Sequence, residues 1–245
     1  MYRFLLFFPF FSFLFAAQEL PFLYHKNYTN PASSYEEEIV NHVKKSLEDA
    51  LHLKSKLRET NFPSDRELSI WKSEVPSDHL LNNLCNWKGA SHLHIGLLKG
   101  GSFVAALYGN QDLLNEKIGL DWFLEYPIEQ FISNCSPYLN LENCKIVNGN
   151  CFDIDKSLFT APVDIYFYDA DHSLTGHQLA FTYYDPVFSD VFVAVVDDWD
   201  CPWVRRPTFK AFEILNYQLL YEAVIPASSS FGHGQYIVVI KKSNV

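Results

Sequence analysis

A chain of 245 residues has room for one α/β domain with a sizeable core and little room for a second full domain. Apolar residues make up 48% and charged residues 20%, a balance that excludes a disordered chain; a formal net charge of -10 opposes phosphate binding, so no nucleic acid is expected as a partner. The five cysteines are odd in number and show no C-x-x-C spacing, which argues against a disulfide scaffold or a zinc site.

At the N-terminus, Arg3 precedes an apolar run from Phe4 to Ala17, about the length of a signal-peptide core and too short for an ordinary spanning helix. Residues 1–17 therefore read as a signal-like or membrane-associating leader. Pro9 interrupts the run, and Leu14 and Phe15 stand where a clean cleavage site needs small residues. Residues 18–86 read as a helical extension. Ser34 and Glu37 have capping-box spacing, and Ile39, Val40, Val43, Leu47, Ala50, Leu51 and Leu57 recur at helical intervals, predicting a helix from about Tyr35 to Glu59. Asn61 to Ser77, with Pro63 and Pro76, reads as a connector, after which Ser77 or Asp78 is placed to cap a short helix through Asn86.

From Ser91 the texture changes to short apolar runs separated by helix-sized segments: His92 to Ile95, Lys117 to Leu120, Lys145 to Val147, Val163 to Tyr168 and Val191 to Val196. This alternation predicts an α/β, doubly wound parallel sheet. Tyr221 to Ile225 and Tyr236 to Lys241 have no helix between them and should form an antiparallel hairpin around His233.

Chemistry-bearing residues fall at predicted strand ends, where open parallel sheets bind ligands. In HIGLLKGGS, Gly96, Gly100 and Gly101 would let backbone approach a ligand, although such turns also serve tight packing. In KIGLDW, Asp121 ends the second strand, where a carboxylate either accepts from ribose hydroxyls or caps the next helix. YFYDADH places Asp169, Asp171 and His172 after one strand, and VVDDWD places Asp197, Asp198 and Asp200 after the next. Carboxylates so gathered repel unless a cation compensates, and magnesium or a similar hard divalent ion suits oxygen donors; the other reading is acidic caps solvated at helix starts. Other residues are more ambiguous. His177 and His233 read as structural, and Arg205 and Arg206, before Pro207 as a first helical residue, face either an acidic substrate or solvent. Trp199 and Trp203 form either an apolar substrate wall or core.

With HIGLLKGGS, LDW, YFYDADHS, VVDDW and the closing GHGQYIVVIKK in this order, the chain resembles the class I S-adenosylmethionine (SAM)-dependent methyltransferases over roughly Trp87 to Lys242. Within them it is most similar to the macrocin O-methyltransferase and cephalosporin-hydroxylase-like branch. The resemblance implies a Rossmann-like seven-stranded sheet whose last strand is antiparallel, formed by residues 87–245, with SAM over the first strand ends and Mg2+ beside it. It assigns the donor site to His94, Gly96, Gly100, Gly101, Ser102, Asp121, Trp122, Asn150 and Cys151, and the metal to Asp169, Asp197 and Asp198. Asp171 matches a proposed general base; His172, by its own position, reads either as a second candidate for proton transfer or as a cap of the helix beginning near Ser173. Two positions depart from the pattern: His94 stands where glutamate is common, and Asn150 where aspartate is common.

The implied reaction is methyl transfer from SAM to a hydroxyl oxygen of a small molecule, yielding a methyl ether. Two other readings stand beside it: a degenerate methyltransferase-fold module for binding or interaction, and a metal-assisted hydrolase on the same fold. The leader points to export or membrane association, whereas the cytosolic supply of the donor favours the cytoplasm. Homo-oligomerisation stays open.

Overall fold

The computed structural model describes residues 24–28, 33–59, 76–227 and 234–243. The leader, most of the connector and His233 lie outside the described residues. All five cysteines are free thiols, and no helix among the described residues is long and apolar enough to cross a membrane.

Helix α1 (Ser34–Leu51) is capped by Ser33, whose extended backbone lets its Oγ accept from Glu36 N at 3.2 Å, so the cap lies one residue before the expected Ser34. Its periodic positions Ile39, Val40, Val43, Leu47 and Ala50 are buried as expected. The helix does not run on to Glu59. Leu53 turns left-handed at φ 54°, and the short α2 (Lys56–Glu59) starts anew. In α3 (Pro76–Leu84) the proline is the first helical residue, where its missing N–H costs no helical bond, so Ser77 and Asp78 lie within the first turn rather than capping it.

The expected parallel strands form where predicted: β2 (His92–Ile95), β3 (Lys117–Asp121), β4 (Lys145–Asn148), β5 (Val163–Tyr168) and β6 (Phe188–Val196). Helices α4 (Gly101–Leu107), α5 (Ile128–Cys135), α6 (Leu174–Thr182) and α7 (Pro202–Ile214) alternate with them, except between β4 and β5, where only a 3-10 turn (Lys156–Leu158) intervenes. The last helix starts at Pro202, so Pro207 lies inside it rather than at its start. Strands β7 (Gln218–Ile225) and β8 (Gln235–Lys241) make the expected antiparallel hairpin, and β8 inserts antiparallel beside β6.

The expected seven strands gain an eighth, β1 (Tyr24–Asn27), antiparallel to β7 at the edge, giving the order β1-β7-β8-β6-β5-β2-β3-β4. The buried Glu222 carboxylate on β7 accepts from Tyr28 at 2.5 Å and from Tyr236 at 2.6 Å, joining the edge segment to the hairpin. One apolar layer packs α1, α3, α4 and α5 on one face of the sheet, and a second packs α6 and α7 on the other. Strand order reverses at β2, which has β3 on one side and β5 on the other, so a crevice opens at the carboxyl ends of β2 and β5.

Candidate active site

A cavity of about 650 Å³ lies in that crevice, lined by residues that follow β2, β3, β4 and β5. It is built on a close approach of backbone. Gly96, at φ +91°, sits where an added Cβ would lie 1.6 Å from the Asp169 carbonyl oxygen. Only glycine allows the end of β2 to lie this close to the end of β5.

Asp121 ties the adjacent turns together. Its Oδ2 accepts from Leu97 N and Leu98 N, both at 2.7 Å, and its Oδ1 from Phe123 N at 2.7 Å. Leu98 and Phe123 are themselves left-handed, at φ 47° and 51°, which costs an ordinary residue about 1 kcal/mol each. The carboxylate holds both turns in that strained form. It does not cap α5, whose flanking residue is Pro127. Asp121→Ala leaves three amides without this acceptor, and at about 1 kcal/mol for each bond the expected loss is about 3 kcal/mol. A denaturant midpoint within error of the parent's would refute this.

Of the sequence candidates for donor binding, Gly96, Asp121, Trp122, Asn150 and Cys151 line the cavity, whereas His94, Gly100, Gly101 and Ser102 do not. An added Cβ at Gly100 would lie 2.2 Å from Cys135 Sγ, so this glycine serves packing against α5. The twofold period of β2 puts His92 and His94 on one face. Both are fully buried; His94 packs on Phe167 and Phe103, its Nε2 lies 2.9 Å from Ser102 Oγ, and its Nδ1 lies 3.3 Å from His92 Nε2. Burial, then the neighbouring His92, holds His94 well below the usual histidine range, and burial lowers His92 to about 4. His94 thus belongs to the packing beneath the crevice. His94→Glu would bury a carboxylate between two phenyl rings and should cost roughly 3 kcal/mol, read as a fall in denaturant midpoint, rather than tighten any ligand.

Residues not singled out in the sequence also line the cavity, among them Leu98, Phe123, Leu124, Glu125, Tyr126 and Phe152. Trp122 and Leu124 stay exposed at 55% and 76%. A signal existed in DWFLEYP, which puts four large apolar or aromatic residues into a strand-to-helix connector where no core periodicity needs them. Lys99 Nζ lies 4.3 Å from the Tyr126 ring centre, joining the loops after β2 and β3 across the rim.

The acidic motifs meet at the cavity's edge. Asp169, Asp171 and His172 line it, and ligand atoms of Asp169, His172 and Asp198 lie within 4.8 Å of one another. His172 Nε2 is 3.2 Å from Asp169 Oδ1 and 3.0 Å from Asp198 Oδ2. The hydrogen bond to Asp169, followed by the charges of Asp169, Asp198 and Asp197, raises the histidine above its ordinary pKa against the opposing effect of burial. Asp197, expected with the other two aspartates, lies beside this group, close enough for the charges of Asp169 and Asp198 to act on it. Burial, then the Asp169 and Asp198 carboxylates, push Asp197 up to about 8.

Asp171 is exposed, and its carboxylate accepts from Ser173 N at 2.9 Å and Ser173 Oγ at 3.0 Å. Ser173, not His172, caps α6 by accepting from Gly176 N. His177 is fully buried, in keeping with a structural role. Trp199 is core, stacked on Tyr236 at 4.0 Å, while Trp203 is 52% exposed. Arg205 and Arg206 are exposed.

A reversed parallel sheet closed by an antiparallel hairpin, with its crevice after the first strands, is the class I methyltransferase fold, and this chain has it. Solved structures agree. An O-methyltransferase from Bacillus cereus in complex with SAH is 15% identical at TM-score 0.53, over 86% of this chain and 92% of that one. The O-methyltransferase TomG from Streptomyces achromogenes, in complex with SAM and involved in tomaymycin synthesis, is 19% identical at TM-score 0.53, over 82% of this chain and 90% of that one. No family model matches the chain. No curated protein matches it in sequence.

Proposed function

We propose that the chain is a SAM-dependent methyltransferase that methylates a hydroxyl oxygen of a small molecule with the help of a divalent metal. One juxtaposition carries this reading: a cavity floored by the Gly96 turn and Asp121 opens directly onto Asp169, Asp171 and His172. The fold shared with O-methyltransferases that hold SAH or SAM supports it.

In this reading the donor's nucleoside lies between Asp121 and Trp122 on one side and Asn150, Cys151 and Phe152 on the other. A carboxylate offers about four acceptor sites. Three amides already use Asp121, so about one site is left for a ribose hydroxyl. Asn150 keeps its own turn closed by accepting from Phe152 N at 3.0 Å. The exposed faces of Leu98, Trp122 and Leu124 exclude water from the ligand they cover.

Two carboxylate oxygens and an imidazole nitrogen converging from Asp169, Asp198 and His172 form a donor set that suits a divalent ion. Burial first, and then the neighbouring Asp169 and Asp198 carboxylates, raise Asp197, and a cation at this place would offset the second of these. A metal held by Asp169 and Asp198 would supply positive charge that favours the deprotonated acceptor hydroxyl. Asp171 takes that proton, its carboxylate oriented by Ser173. SAM supplies an already activated methyl group, so the protein's main task is to hold acceptor oxygen and methyl carbon in line.

The test is calorimetry of SAM and SAH on the purified chain, followed by donor-dependent methylation of a panel of small hydroxyl compounds. Saturable binding that weakens at least about tenfold in a folded Asp121→Ala variant is the expected result. No binding of either compound would overturn the reading and leave a methyltransferase-fold interaction module. Hydrolysis of ester, amide or phosphoester compounds without the donor would instead favour the hydrolase.

A further inference from the structure

The nitrogen that converges on the two carboxylates sets this site apart from an all-oxygen one. Resting on the metal-assisted reading above, we propose that His172 is itself a metal ligand. The resulting site, one imidazole and two carboxylates, selects a transition-series divalent ion such as manganese, iron, cobalt or zinc over magnesium.

The geometry brings the three donors together. A single atom, His172 Nε2, faces both Asp169 Oδ1 at 3.2 Å and Asp198 Oδ2 at 3.0 Å. Donors held about 2.1 Å from one metal at right angles to each other stand about 3 Å apart. The spacing seen here, which a shared proton bridges as hydrogen bonds in the metal-free chain, therefore also fits neighbouring ligands on an ion that replaces that proton. Asp197, the alternative third ligand, is not among the residues whose ligand atoms converge within 4.8 Å.

His172 is also braced. Its ring lies parallel, within 21° and at 6.0 Å, to the ring of fully buried His177, which in turn packs edge-on against Tyr168 at 5.1 Å. The outer side of His172 is 44% exposed, which leaves an entry path from solvent. Magnesium strongly prefers oxygen ligands and gives up its water reluctantly, whereas imidazole suits the later divalent ions. The histidine thus sets metal preference as well as adding a ligand.

The full chain, stripped with chelator, is to be titrated calorimetrically with cobalt, manganese and magnesium chlorides, with SAH binding measured on the same preparation. Cobalt should bind at least about tenfold more tightly than magnesium. Pulsed electron paramagnetic resonance of the manganese form should show a nitrogen hyperfine coupling. His172→Ala should abolish that coupling and weaken cobalt about tenfold or more, while changing magnesium affinity less than about threefold. The wild-type coupling needs no variant, so it decides the matter even if His172→Ala fails to fold. Equal cobalt and magnesium affinities, both lost in Asp198→Ala, with no nitrogen coupling, would overturn the role of His172 and leave the metal-assisted reading standing. Absence of any metal binding would overturn both, and SAH binding would still decide the methyl-donor reading separately.

Discussion

Gly96→Ala is expected to destabilise the protein by roughly 3 kcal/mol or more and to abolish ligand binding in the crevice. Two costs add. An alanine held at φ +91° leaves the comfortable range of an L-residue, and its methyl carbon would lie 1.6 Å from the Asp169 carbonyl oxygen and 2.5 Å from its carbonyl carbon. The obstacle is backbone, so no side chain can swing away. Relief requires β2 and β5 to part where Asp169 N donates to Ile95 O at 2.9 Å, and this moves Asp169 away from His172 and Asp198. Gly149→Ala is the control: it also lines the cavity, but an added Cβ there meets nothing within 4 Å. Its stability should stay within about 0.5 kcal/mol of the parent's. Equal melting curves for the two variants would contradict the close approach.

Asp198→Asn should reduce methyl transfer by about 10² to 10³ while SAH affinity changes less than about threefold. Asp198 is left-handed at φ 54°, a conformation that asparagine tolerates better than most residues, so the substitution preserves the backbone and removes only charge and ligand strength. The metal-induced rise in melting temperature should shrink with it. Without metal the variant should be at least as stable as the parent, because one of the carboxylates that push Asp197 up to about 8 is gone. The sign with pH follows from that shift. A carboxyl raised on folding destabilises the fold above its ordinary pKa, so metal-free stability should fall as pH rises from about 4 towards 8, and Asp198→Asn should flatten this slope. A metal response or pH slope unchanged in the variant would remove Asp198 from the site.

Much of the architecture is written locally. Short apolar runs located β2 to β8 to within a few residues, because strand formation depends on neighbours in sequence. The helix ends were less legible. Ser33 and Ser34 are chemically alike, and the choice rests on which of them has the extended backbone. Likewise both Pro202 and Pro207 could begin a helix, and α7 begins at the earlier one.

What the sequence determined by itself was the doubly wound sheet with its antiparallel hairpin and the strand ends that carry carboxylates, since hydrophobic period and strand order follow from local pattern. Tertiary structure alone decided the rest. The edge strand β1 has a polar sequence without alternation, and it is joined to the sheet by a hydrogen bond between Tyr28 and Glu222, 194 residues apart. Asp121 serves amides 23 and 24 residues upstream, and His94 lies beneath the crevice rather than within it. Ligand atoms of His172 converge with those of Asp169 and Asp198, whereas those of Asp197 do not, because the direction of a side chain is set by its rotamer and its packing rather than by the motif. A motif names the acids at a strand end, but packing chooses which of them meet.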